Sequence, residues 1–187
     1  MGEIIKKLQE KVKGKKIIIW DFDGTIADLG VDWEAMRAEL VSNISPGKSG
    51  LRINELVSEY IQQGKKSLAF SIIKKYESAA KASINPEVKE FILKNKDKFK
   101  MAVFSDNLRE TIEQGLSSEK MTPAINILVS KEDVAEFKPS IDGLIQISAY
   151  FKERNKKAYL FIGDRDSDGE CASAFGIDFF KIDKKVN

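Results

Sequence analysis

Apolar residues along the chain fall into two kinds of run. Short runs rich in β-branched and aromatic residues recur at 17–20, 101–104, 125–129, 158–162 and 179–182. Continuous apolar runs of that length read as strands buried on both faces. Between the later ones lie stretches of helical period at 108–116, 141–154 and 167–175. Strand and helix therefore alternate, the pattern of a parallel sheet covered on both faces by helices. Residues 30–98 break the alternation, because Trp33, Met36 and Leu40, then Leu51, Leu56 and Tyr60, then Phe70, Ile73 and Tyr76 repeat at helical spacing with no convincing strand among them. The spacing predicts a helical insert between the first and second strands. Ser45-Pro46-Gly47 and Gln63-Gly64 punctuate it, and Pro86 opens a last helix that returns to the sheet. The expected organisation is a core formed by 1–29 and 99–187, with the helical insert at 30–98. Ahead of the first strand, Ile4, Ile5, Leu8 and Val12 mark the apolar side of one more helix, and the surrounding lysines read as its solvated face.

Length and composition agree with one core carrying a modest insert. The 187 residues are 42% hydrophobic and 32% charged, as in a folded soluble protein. Lys and Arg total 31 against 29 Asp and Glu, a formal charge of +2 that gives no reason to expect nucleic acid as a partner. Cys171 is the single cysteine, so no internal disulfide is expected and a reducing compartment fits. No apolar run approaches the roughly 18 residues of a membrane span, and no signal-peptide stretch is evident. A cytoplasmic monomer or homodimer without a membrane partner is the expectation. The chain has no histidine, which removes Ser-His-Asp hydrolases, His-ligated zinc sites and histidine phosphocarriers.

Four polar clusters each stand where a predicted strand ends, the edge of an open parallel sheet at which ligands bind. The first is Asp21-Phe22-Asp23-Gly24-Thr25. Alternate side chains of an extended segment point the same way, so Asp21 and Asp23 can face one site while Phe22 packs behind them. Asp21 can then attack phosphorus as a carboxylate nucleophile, and Asp23 can give a proton to the departing alkoxide and later take one from water. Gly24 permits a sharp turn that the Thr25 side chain can hold by a hydrogen bond. The plainer alternative is an ordinary Asp-Gly turn. The second cluster, Ser105-Asp106-Asn107, offers a hydroxyl and backbone N–H groups as a cradle for phosphate oxygens, or simple helix caps. In the third, Lys138-Pro139, a lysine fixed at the head of a helix by proline could neutralise phosphate and tie down the nucleophile.

The fourth cluster is Gly163-Asp164-Arg165-Asp166-Ser167-Asp168. Its carboxylates are hard donors suited to magnesium, although an acidic helix start would look the same. Gathering Asp21, Asp23, Asp164 and Asp168 would cost about 4 kcal/mol per pair at ~4 Å and an effective dielectric near ~20. A cation is therefore required. Phosphate-monoester hydrolysis is slow enough that enzymes accelerate it by up to about 10²¹-fold, far beyond one general acid. A nucleophile, a metal and a cationic clamp must act together.

The order Asp-x-Asp-Gly-Thr, strand-terminal Ser, Lys-Pro, Gly-Asp-x-x-x-Asp resembles the four-motif pattern of the haloacid dehalogenase (HAD) superfamily, in particular its phosphatases with a helical cap after the first motif. The resemblance implies an α/β fold: a three-layer, Rossmann-like core with parallel sheet order 5-4-1-2-3 and a helical cap insert that acts as a lid. It implies magnesium-dependent hydrolysis of a small phosphorylated metabolite through an aspartyl-phosphate on Asp21, with Asp23 as acid and base. By the same resemblance Ser105 and Lys138 bind the transferring phosphate, in company with Thr25, Asp106 and Asn107. Asp21, the backbone carbonyl of Asp23, and Asp164 hold the ion, while Asp168 supports the metal waters and Lys138. A phosphomutase or phosphotransferase would use the same intermediate.

Asp23 disfavours a dehalogenase, which needs no proton donor there. A receiver domain would place its phosphoacceptor after a later strand, and a catalytically silent binding protein would not need every one of these residue types. Arg165 departs from the small polar residue common at its position. In the insert, Ser45–Gly50 suggests a nucleotide loop, but Ser42 stands where that motif needs glycine. Lys48 and Arg52 are candidates for substrate recognition.

Overall fold

The computed structural model describes residues 3–44 and 50–182. Helix α1 (Glu3–Lys11) leads into β1 (Ile17–Trp20), after which a short strand β2 (Ala27–Asp28) carries the chain towards α2 (Trp33–Ile44), α3 (Ile53–Gln62) and α4 (Lys66–Ala79). Strand β3 (Ser83–Ile84) returns antiparallel to β2 and is followed by α5 (Pro86–Asn95). From there strand and helix alternate: β4 (Lys100–Phe104), α6 (Arg109–Ser118), β5 (Ile127–Val129), α7 (Asp142–Phe151), β6 (Tyr159–Gly163), α8 (Asp166–Phe175) and β7 (Asp178–Lys181).

The five main strands form one parallel sheet in the order β5-β4-β1-β6-β7. Counting only these strands in chain order gives 5-4-1-2-3 from the β7 edge, the expected topology. Ile17, Ile18, Ile19 and Trp20 of the central strand are buried, as a strand with neighbours on both sides and helices on its faces must be. Helix α7 packs on β4 and β5, and α8 on β6 and β7.

The chain divides into two compact units, Met1–Asp28 with Ser83–Asn187, and Leu29–Ala82. The second is a three-helix unit in which Met36, Leu40, Leu56, Val57, Tyr60, Ala69, Ile72 and Ile73 are buried. Tyr60 Oη donates to the Leu40 carbonyl at 2.9 Å, which satisfies its one buried polar group. The sequence placed the far boundary of the insert at 98, whereas residues 83–98 belong with the sheet. The reason lies in their partners: Asn85 N–H donates to Ile26 O at 2.8 Å, Ile4 N–H donates to Glu87 at 3.1 Å, and Phe91 meets Trp20 edge-on at 5.8 Å. Asn85 also caps α5, its side chain accepting from Glu87 N–H and Val88 N–H at 3.1 and 3.3 Å, with Pro86 in the first turn. The β2–β3 ribbon, which flanks the insert on the sheet side, was not expected from the sequence, since two-residue strands are too short to show alternation.

Candidate active site

Parallel register sets the site. Trp20 pairs with Val103 on one side and Ile162 on the other, so Asp21 extends β1 level with Phe104 and Gly163. Its N–H donates to Ile162 O at 2.8 Å. Ser105 and Asp164 follow one residue further along the flanking strands, and three of the four clusters thus meet on one sheet edge.

The turn after β1 is closed by backbone bonds. Gly24 N–H donates to Ala27 O at 2.6 Å, and Thr25 and Ala27 N–H donate to Phe22 O at 3.2 and 2.9 Å. Gly24 has φ of +84°, a conformation a side chain would strain. The expected side-chain hydrogen bond from Thr25 is not made. Its Oγ1 is buried with no hydrogen-bond partner among the described residues. Phe22 is fully buried, as the alternation required.

Lys138 is the hub. Its Nζ donates to Asp21 Oδ1 at 2.7 Å and to Asp168 Oδ1 at 2.6 Å, and all three side chains are at most 5% exposed. Asp168 is further fixed by the Arg165 N–H, which donates to its Oδ2 at 3.1 Å across the first turn of α8. A Cβ on Gly163 would collide with the Asp168 carboxylate, so the close approach of β6 to α8 requires glycine. Lys138-Pro139 lies in the loop ahead of α7, which begins only at Asp142; this corrects the expectation that the proline heads the helix. The lysine is held instead by its carboxylates and by its backbone N–H, which donates to Asp106 Oδ1 at 3.4 Å.

In the second cluster two donors of Ser105 are already engaged. Ser105 N–H is spent on Val129 O at 3.0 Å, continuing the β4–β5 ladder, and Ser105 Oγ donates to Asn107 Oδ1 at 2.8 Å. Ser105 and Asn107 are both buried. Of Ser105 itself it is therefore the hydroxyl, and not the backbone N–H, that can turn to a phosphate oxygen.

Burial pushes the Asp21 carboxyl up to about 7, with Lys138 pulling against the shift and Asp168 adding to it. Burial would lower the Lys138 ammonium, but Asp21 and Asp168 outweigh it and hold the group above its ordinary value. Ligand oxygens of Asp21, Asp164 and Asp168 lie within 4.8 Å of one another. This all-oxygen donor set suits a hard divalent cation. Asp168 already serves Lys138 and the Arg165 N–H, which leaves Asp21 and Asp164 as the better direct ligands. The Asp23 carboxylate is outside the trio: its Oδ2 accepts from Arg165 Nη2 at 2.9 Å.

One buried residue was missed, and Arg165, singled out in the sequence only as a departure from the usual small polar residue, forms the ion pair just described. Lys131 is 3% exposed, its Nζ stands 4.7 Å over the Phe137 ring, and its N–H donates to Asn107 O at 3.1 Å. It follows β5, so the strand-end rule that found the other clusters would have found it. Arg52 meets Glu55, its N–H donating at 2.7 Å and its guanidinium at 2.9 and 3.0 Å. Lys48 lies outside the described residues.

An open parallel sheet with an Asp-x-Asp turn, a buried lysine and a Gly-Asp-x-x-x-Asp loop converging on one edge defines a class, the haloacid dehalogenase-like hydrolases. Residues 18–182 match the family described as haloacid dehalogenase-like hydrolase, and the chain belongs to it. No curated protein matches by sequence. Among solved structures the chain is similar to a protein assigned as a haloacid dehalogenase-like hydrolase from Bacteroides fragilis, with TM-score 0.70 and 18% identity over 92% of this chain and 90% of that one. It is also similar to a predicted phosphoglycolate phosphatase from Haemophilus somnus, with TM-score 0.65 and 17% identity over 90% and 85% of the two chains. A third is a protein assigned as the HAD-hydrolase YfnB from Bacillus subtilis, solved bound to magnesium, with TM-score 0.62 and 14% identity over 92% and 91%. No helix among the described residues is long and apolar enough to cross a membrane.

Proposed function

We propose that this hydrolase is a magnesium-dependent phosphatase that passes the phosphoryl group of a small phosphorylated metabolite through Asp21 to water. The observation that carries the reading is Lys138 bridging Asp21 and Asp168 in a buried cluster that also contains an oxygen of Asp164 within ligand distance. Lys138 holds Oδ1 of Asp21 and fixes the carboxylate plane, so the other oxygen can be aimed at phosphorus. Asp21 attacks, the bond from phosphorus to the leaving oxygen breaks, and Asp23 delivers a proton to that oxygen. Water then attacks the aspartyl-phosphate with Asp23 accepting its proton, and phosphate departs with Asp21 restored.

The buried hydroxyl of Thr25 and that of Ser105 are donors for the phosphoryl oxygens. Magnesium held by Asp21 and Asp164, with the Asp23 carbonyl, supplies the positive charge that lets a phosphate dianion approach these carboxylates.

Steady-state release of phosphate from a panel of esters tests the reading. Wild type is expected to turn over with magnesium and stop in chelator, and Asp21→Asn to lose at least about a thousandfold in kcat, as when a covalent nucleophile is removed. Full turnover by Asp21→Asn, or in chelator, contradicts the mechanism. Accumulation of an isomeric sugar phosphate without free phosphate would make the enzyme a mutase.

A further inference from the structure

The stretch from Lys152 to Lys157 joins the end of α7 to the start of β6 and holds four cations and one acid. It borders an open groove of about 480 Å³, whose apolar lining is Ile145, Ala149 and Phe175 and whose cations are Lys152, Arg154 and Lys156. The groove is separate from the active edge. Its cations precede β6, whose length of roughly 16 Å lies between them and the Gly163-Asp164 end.

Glu153 does not balance these charges. Its carboxylate accepts from Lys16 Nζ at 2.8 Å and from Asn155 N–H at 2.9 Å, whereas Lys152, Arg154 and Lys156 pair with no carboxylate among the described residues. The helix dipole accounts for Lys152, which caps α7 and donates its N–H to Ser148 O at 2.9 Å. That effect fades beyond the last turn and does not explain Arg154 or Lys156. Lys156 Nζ stands 2.9 Å from the centre of the Phe175 ring, and burial pushes its ammonium below the ordinary value. A cation that has given up water against an apolar surface gains from an anion brought to it. Ile145 beside it is 51% exposed, apolar area that gains from being covered.

We propose that this groove is a second ligand site, which takes a small organic anion whose charged group adjoins an aliphatic or aromatic part. Its volume is that of a small-molecule site, typically about 300–1,000 Å³. The three cations match the charge, and Ile145 and Ala149, one helical turn apart on α7, meet the apolar part. Binding there requires no turnover at Asp21.

The whole chain is titrated calorimetrically with octanesulfonate, which has both features and no ester to hydrolyse, with sulfate, which has the charge alone, and with octanol, which has the chain alone. Wild type is expected to bind the sulfonate at least about tenfold more tightly than either, and less tightly as salt is raised. Arg154→Gln combined with Lys156→Gln should weaken binding by about tenfold or more, the scale of one charge-assisted hydrogen bond. Ile145→Ser should weaken it by about threefold or more. Lys157→Gln removes an exposed cation outside the groove and should bind as wild type does. Thermal unfolding checks that each variant is folded. No binding of the sulfonate, equal binding of sulfate, an equal loss in Lys157→Gln, or wild-type affinity in the groove variants overturns the proposal. A tighter hold on an acidic peptide carrying one leucine would assign the groove to a protein segment and overturn the small-ligand reading.

Discussion

At the scale of single residues the site is governed by buried charge. Asp21 is raised to about 7 by burial, against the pull of Lys138. In the metal-free protein the folded state therefore holds the Asp21 proton more tightly than the unfolded chain, whose carboxyl stays near its ordinary 3.8. The stability this contributes is full below the ordinary value and is lost as pH rises through about 7. Urea unfolding in chelator should show stability falling between about pH 4 and 7 by up to roughly 1.4 kcal/mol per unit and levelling off above that. Asp21→Asn should flatten that fall, and an unchanged profile in the variant would assign the titration elsewhere. Cys171 follows the same logic. Burial pushes its thiol up to about 12, and Sγ donates to Ser140 O at 3.1 Å. Thiol reagents at neutral pH should label it only at the rate of unfolding; rapid labelling of native protein would place the thiol at the surface.

Elements translate that charge into position, and here the sequence was readable to different depths. The three inner strands β1, β4 and β6 were legible because burial on both faces leaves apolar runs, and the residue that follows each run is delivered to the ligand edge. Asp21, Ser105 and Asp164 were found by this rule. What stayed hidden depends on contacts between distant segments. The β2–β3 ribbon has no periodicity, and the place of α5 with the sheet rests on Ile26, Ile4 and Trp20. That the Ser105 N–H is claimed by β5 is likewise a matter of register.

Gly163 belongs to this scale as well. It ends β6 where α8 crosses so closely that a methyl group would strike Asp168. Gly163→Ala should displace that carboxylate from Lys138, lowering kcat and destabilising the fold by about 1–3 kcal/mol, the usual range for overpacking. Chemical denaturation and phosphate release on one preparation check both. Wild-type values in both would mean that the strand and helix can part without disturbing the clamp.

Across the whole molecule the formal charge is only +2, yet the site concentrates negative charge. Asp21, Asp23, Asp164 and Asp168 face Lys138 and Arg165, and two negative charges remain uncompensated when every carboxylate is ionised. A divalent cation would cancel that excess. Because the candidate ligands Asp21 and Asp164 follow β1 and β6, binding would tie together segments far apart in sequence, and the unfolded chain offers no comparable site. Ligand binding to the folded state alone stabilises it by about 2.7 kcal/mol at a hundredfold excess over Kd. Scanning calorimetry should accordingly show magnesium raising Tm, and chelator reversing the rise. Asp164→Asn removes one candidate ligand, along with one negative charge; it should abolish most of the shift and, by relieving repulsion in the metal-free cluster, raise the chelator-treated Tm above that of wild type. Substitution of Asp166, which is exposed and pairs with Lys181 at 2.6 Å, should leave the shift intact. Equal shifts in the two variants would mean that the ion responds to general acidity at the start of α8 and not to the carboxylates gathered at the sheet edge.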